Sequence, residues 1–281
     1  MSNLPSFLCI GTQKAGTSWL YEQLRYHPDI WLPPFKELHY FDHLYCKSSR
    51  SWSRWHIRQS VSNAIRNHVH YNQGTLDFVY IRYLSNIATG PVFSEAWYEQ
   101  VFQRKAAAGK ILGDITPEYC TISEEGIAYV KRFLGKVKII WIIRDPVERA
   151  LSQLKMNADR HGFSLDGSLV SDWLELAAAE DISNRGDYLT YLPCWERFFG
   201  PDELLFIPFK RIADQPQEVL RSVEVFLGAS EWDDYPSPWK KIYATKRLYL
   251  PDEVTDYFQA KFKPQYDFLA SRFGSEFLGS I

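Results

Sequence analysis

The segment FLCIGTQKAGTSWLYEQL, residues 7–24, constrains the fold more than any other. Phe7–Gly11 is a short apolar run ending in glycine, the pattern of a buried strand. A helix is predicted over Gly16–Tyr26, with Leu20 and Leu24 at helical spacing. A strand, a tight glycine-bearing turn and a helix start together make an anion site. Backbone N–H groups converge there, and the helix dipole favours negative charge. Gly11 and Gly16 have the separation of the triphosphate loop G-x-x-x-x-G-K-[ST]. Thr17, however, stands where that loop carries its lysine, and Lys14 lies inside the turn. Such a loop can hold a phosphate without the usual metal–triphosphate machinery.

Further along, apolar runs alternate with helical ones. Ile111–Asp114 and Glu203–Phe209 read as strands, and VKIIWII, residues 137–143, is apolar on both faces as a central parallel strand must be. Glu124–Phe133 and Gln215–Phe226 read as helices, and Asp252–Phe273 as one or two more. This rhythm predicts an α/β fold, a P-loop-like central parallel sheet flanked by helices. A length of 281 residues with 46% hydrophobic content suits one domain over residues 1–281. Residues 43–110 interrupt the rhythm and are rich in Trp, Tyr, His and Arg. From His43 to Tyr83 six Lys or Arg accompany one acid, Asp77. This insertion is expected to be mainly helical and to cover the acceptor site beyond a strand's carboxyl end. The alternative is a helical cap that packs through its aromatics.

Two other clusters carry chemistry. VKIIWII ends in Arg144 rather than the acidic residue of a magnesium-binding strand. In IIRDPVERALSQ, Asp145 is a strong N-cap, Pro146 suits the first helical position and Glu148 completes a capping box. Ser152 follows Arg144 by eight residues, about two helical turns, so guanidinium and hydroxyl can share one anion. The competing reading is an Arg that pairs with a carboxylate at the domain edge. In PPFKELHYFD, Lys36, Glu37, His39 and Asp42 fall together, and Glu37 and His39 are both candidate general bases. A surface charge cluster is the alternative there. His68 and His70 would share one face of a strand and so form half a zinc site, with no further ligand cluster near them in sequence.

Composition excludes several classes. A net charge of −2 gives no global field for nucleic acid or an anionic membrane. Cys9, Cys46, Cys120 and Cys194 are scattered without a C-x-x-C pair, which argues against a disulfide framework or zinc cluster and fits a reducing cytoplasm. No run of about 18 apolar residues and no signal-peptide pattern is present, so neither membrane nor export is expected.

At these motifs the chain resembles the PAPS-dependent sulfotransferases, soluble single-domain members above all. QKAGTSWL is similar to the family's 5′-phosphosulfate loop, RDPVERALS to its 3′-phosphate motif, and KELHYFD to the E-x-H-F-F-D element of heparan-type and bacterial members. Weaker echoes are GDITPEY, RGDYLTYLPCWERFFG and FIPFKRIADQPQEVLRSVEVFLG. The resemblance implies PAPS (3′-phosphoadenosine 5′-phosphosulfate) as co-substrate and no metal. Lys14, Ala15, Gly16, Thr17 and Ser18 would hold the 5′ side, and Arg144 and Ser152 the 3′-phosphate. Trp19 and Tyr188 would lie near adenine, and Lys246 and Arg247 would belong to a closing basic loop. By the motif match Glu37 is the base, with His39 supporting it or exchanging roles with it.

One departure concerns the acceptor. Heparan-type members carry a lysine before the T-P pair, where this chain has Ile115. The expected activity is therefore sulfuryl transfer to a hydroxyl or amine of a small metabolite, with a glycan acceptor second. A magnesium–ATP-dependent kinase of a small metabolite, or a non-catalytic nucleotide-binding module, are the readings from other classes.

Overall fold

The computed structural model describes residues 4–161, 169–240 and 250–281. Five parallel strands, β1 (Phe7–Gly11), β2 (Ile30–Trp31), β3 (Ile111–Ile115), β4 (Lys138–Ile143) and β5 (Leu204–Pro208), form one sheet in the order β2-β3-β1-β4-β5. Cys9 pairs with Ile115 on one side and Ile140 on the other. The strand order reverses direction at β1, so its carboxyl end opens onto the crevice where ligands bind in open α/β sheets. Before β3 lie α1 (Thr17–Leu24), α2 (Tyr40–Tyr45), α3 (Ser53–Tyr71), α4 (Phe78–Thr89) and α5 (Glu95–Val101). Between β3 and β5 come α6 (Glu124–Leu134), α7 (Pro146–His161), α8 (Val170–Ala177), α9 (Glu180–Asn184) and α10 (Tyr188–Glu196). After β5 follow α11 (Phe209–Asp214), α12 (Pro216–Leu227), α13 (Asp252–Phe273) and α14 (Ser275–Gly279).

The central strands are buried on both faces, and alternate residues feed two cores. Phe7, Cys9, Ile140 and Ile142 share one with Leu20 of α1, Ile212 of α11 and Val219 of α12. Leu8, Ile10, Ile139 and Trp141 share the other with Phe41 of α2, Leu84 of α4, Trp97 of α5 and Trp195 of α10. Ile57 and Val61 of α3 join that second core, which seats the insertion on the sheet. A third cluster joins α7, α8, α9 and α13 through Leu154, Trp173, Ile182 and Phe258. Among the described residues no helix is long and apolar enough to cross a membrane.

Three expectations change in detail. β2 has two residues, too short to leave a periodic signal. The last strand stops at Pro208, and Phe209 opens α11. His68 and His70 lie on α3, where a two-residue offset turns the side chains about 200° apart, so the strand-face zinc pair does not form. His68 Nε2 instead accepts from the Asp77 N–H at 3.1 Å.

Candidate active site

Four loops leave the carboxyl edge of the sheet, and Lys14, Glu37, His39 and Arg144 stand on three of them. The first follows β1. Lys14 has φ 70° and Gly16 φ 87°, so the turn passes through the left-handed region twice before α1 begins. At Gly16 a Cβ would also meet Ile212 Cδ1 at 3.0 Å, which makes glycine doubly required. Thr17 and Ser18 open α1, so their N–H groups lack intrahelical partners, the arrangement that favours anions.

Lys14 is half-buried and its ammonium has Met156 Sδ at 3.9 Å. Among the described residues no carboxylate pairs with it. Burial, and then the nearby charges of Arg144, Arg160 and Lys36, push its pKa down. A half-buried ammonium without a carboxylate of its own, beside other basic groups, marks a place for an anion.

Arg144, at the end of β4, donates to the Lys14 carbonyl at 2.6 Å and to Glu148 Oε2 at 3.1 Å, and stacks on Phe209 with its Cζ 4.4 Å from the ring centroid. Its Nε is buried without a hydrogen-bond partner. The helix start forms as the sequence implies, with the Glu148 N–H donating to Asp145 Oδ1 at 2.8 Å, while the Glu148 carboxylate turns to Arg144. Tyr188 is fully buried, and its hydroxyl both accepts from the Arg144 N–H (3.1 Å) and donates to the Arg144 carbonyl (3.0 Å). Ser152 lies two turns into α7 at a half-buried position. Trp19 is 4% exposed and donates to the Pro238 carbonyl at 2.8 Å. Lys246 and Arg247 lie outside the described residues.

The turn after β2 carries Glu37 (φ 68°) and His39 (φ 52°). A non-glycine residue in that region costs roughly 1–3 kcal/mol and persists only where its surroundings enforce it. The enforcement is visible. Glu37 N–H donates to the Ile115 carbonyl at 3.0 Å, Leu38 N–H to Thr116 Oγ1 at 3.0 Å, and Tyr40 N–H to the Tyr119 hydroxyl at 3.1 Å. Thr116 and Tyr119 both donate to the buried carboxyl of Asp114, at 2.7 Å each. GDITPEY is thus the prop of KELHYFD.

Glu37 pairs with Lys36 through Oε1, and its Oε2 is 3.9 Å from His39 Nε2. Burial works against its ionisation, but the Lys36 ammonium and His39 outweigh it and hold the carboxyl below the usual range. His39 is fully buried, with Nδ1–H donating to Asp42 at 3.0 Å. Burial opposes its charge, yet Asp42, Glu118 and Glu37 carry its pKa up to about 9.

Three contributors carried no local signal. His56, from α3, stands edge-on to His39 with ring centroids 4.7 Å apart. Burial, then the His39 charge, pulls its pKa down to about 4. Glu118 accepts from Gln13 Nε2 at 2.9 Å and lies 3.8 Å from Arg185, which donates to Gln13 Oε1 at 2.9 Å. Its pKa is raised by burial, and its Oε2 has no partner. Gln13 precedes Lys14, so this bridge ties the anion loop to the segment after β3 that props the Glu37–His39 turn.

Comparison with known proteins finds relatives of the chain. A family model described as "Sulfotransferase family" matches residues 5–234. Heparan sulfate glucosamine 3-O-sulfotransferase 3B1 of Mus musculus is 27% identical over 229 residues, 80% of this chain and 46% of that protein. The chain therefore spans about half the length of the curated relatives it matches. A sulfotransferase from Alicyclobacillus acidocaldarius superposes with a TM-score of 0.63 at 21% identity, over 95% of this chain and 94% of that one. A sulfotransferase domain from the curacin biosynthetic pathway gives 0.56 at 13% identity, over 92% and 97%. These two establish likeness of fold.

Proposed function

The chain belongs to the sulfotransferase family, and we propose that it moves a sulfuryl group from PAPS to a hydroxyl or amine of a small acceptor. The observation that carries this reading is the set of left-handed residues. Lys14, Glu37 and His39, picked out by motif for the chemistry, are also held at positive φ at the sheet's carboxyl edge.

In this reading Lys14 faces the bridging oxygen of the donor and offsets the charge that builds there as the S–O bond breaks. The N–H groups of Gly16 to Ser18 hold the 5′ phosphate, while that of Ala15 is engaged by the Thr12 carbonyl at 3.1 Å, and Arg144 with Ser152 holds the 3′-phosphate. Trp19 and Tyr188 border the adenine. Glu37 takes the proton of the attacking hydroxyl or amine as the new bond to sulfur forms. Lys36 is the residue that tunes this step: while it pairs with Glu37 the carboxylate is a weak base, and an anionic donor competes for its ammonium. His39, oriented by Asp42, holds positive charge beside Glu37 and keeps its carboxylate ionised to receive the proton. In this reading the 43–110 insertion, which packs on the sheet through Ile57 and Val61, covers the acceptor and brings His56 to it.

Ile115 and the net charge of −2 favour a small metabolite over a long polyanion, although the mouse relative is named for heparan sulfate. Four free cysteines accord with a reducing, cytoplasmic setting.

The test is ligand-dependent melting. Adenosine 3′,5′-bisphosphate (PAP) at about a hundredfold over its Kd adds about 2.7 kcal/mol and raises Tm by several degrees. Magnesium–ATP at equal concentration is expected to do far less. Equal shifts would favour the kinase reading and overturn this one.

A further inference from the structure

The same turn also presents ligand atoms suited to a metal ion. Glu37, His39 and His56 each offer one donor atom, and the three lie within 4.8 Å of one another. Glu37 and His39 come from the left-handed turn after β2, and His56 from the insertion helix α3.

Two observations point to a ligand rather than to a chance cluster. His39 Nε2 has no hydrogen-bond partner although the ring is fully buried, an arrangement that costs free energy unless something occupies that atom. Its Nδ1–H is held by Asp42 at 3.0 Å. A carboxylate gripping one imidazole nitrogen is the outer contact that orients a histidine's other nitrogen toward a metal. The Glu37 carboxylate is divided in the matching sense: Oε1 serves Lys36, while Oε2 lies 3.9 Å from His39 Nε2.

We propose that Glu37, His39 and His56 form a zinc site whose occupation takes the base out of use, making Zn²⁺ a reversible inhibitor of transfer. Two imidazoles and one carboxylate suit Zn²⁺, which binds here in exchange for the proton on His39 Nε2, whereas Mg²⁺ and Ca²⁺ prefer all-oxygen sets. Bonds of about 2.0–2.1 Å in a tetrahedron place ligand atoms roughly 3.4 Å apart. Closing the present spacing onto Nε2 of His39 requires rotation of Glu37 and His56, both only partly buried, with His56 Nε2 giving up its contact with Ser60 Oγ at 3.2 Å if that nitrogen is the ligand. The inhibitory half of the proposal rests on Glu37 being the base; zinc binding itself does not.

The experiment titrates the chelator-stripped full chain with Zn²⁺ in competition with the chromophoric chelator 4-(2-pyridylazo)resorcinol. One equivalent is expected to bind, and excess Mg²⁺ is expected not to displace it. His56→Phe, which keeps the ring's bulk, should weaken binding by about tenfold or more; His56→Asn reads the same loss if the Phe variant folds poorly. Asp42→Asn should weaken it by about 10- to 100-fold through the loss of His39 orientation. Absence of stoichiometric zinc in the wild-type chain, or equal affinity in the His56 variants, would overturn the site. PAP binding, measured in parallel, reports on the sulfotransferase reading separately: failure of PAP to bind with zinc binding intact would sink that reading and leave the site standing.

Discussion

Asp114→Asn probes the prop beneath the candidate base. Asp114 is 1% exposed; its Oδ2 accepts from the hydroxyls of Tyr98 (2.9 Å) and Tyr119 (2.7 Å), and its Oδ1 from Thr116 (2.7 Å). Burial outweighs these donors and lifts its pKa from the ordinary 3.8 to about 6. Between those two values the unfolded chain has lost the proton and the folded chain has kept it. Stability therefore falls as pH rises through that window, and the loss is complete above the folded value. Each tenfold change in proton affinity is worth about 1.4 kcal/mol, so the loss amounts to roughly 3 kcal/mol. Asparagine keeps the shape and does not titrate. The stability of Asp114→Asn relative to wild type should then improve by that amount from pH 4 to pH 7. Urea unfolding followed by tryptophan fluorescence at half-unit pH steps measures it, and all other titrating groups cancel in the difference. A constant offset between the two curves across the range would refute the reasoning.

Two further outcomes follow from the same geometry. Thr116→Val strands the Leu38 N–H and an oxygen of Asp114, both buried, and should cost about 2–5 kcal/mol in urea unfolding, while calorimetry finds PAP affinity unchanged in the variant's folded fraction. Arg144→Ala should lower PAP affinity by about 10- to 100-fold, the worth of a charge-assisted contact, and normal PAP binding in that variant would remove the 3′-phosphate assignment.

The parts that the sequence made legible are those with a local signature. Apolar runs bounded by glycine or an N-cap located β1 and β4, and the positions of Lys14, Arg144, Glu37 and His39 came from short motifs within single loops. The parts that were not legible are contacts between loops distant in sequence. Gln13, Glu118 and Arg185 meet from three separate connections, and nothing near any one of them announces the other two. His56 reaches His39 only because Ile57 and Val61 seat α3 on the sheet. His68 and His70 misled because a two-residue spacing has meaning on a strand and none on a helix. The Tyr188 hydroxyl is engaged with the backbone of Arg144, a pairing that no pattern around RGDY discloses.

That pairing reaches beyond Tyr188. One phenol secures both backbone polar groups of Arg144, and the guanidinium of that residue in turn grips the carbonyl of Lys14. The two ends of an adenylate lying here would be read by a single linked assembly. If the donor lies as proposed, an analogue stripped of its 3′-phosphate is expected to lose alignment at sulfur as well as a contact at ribose.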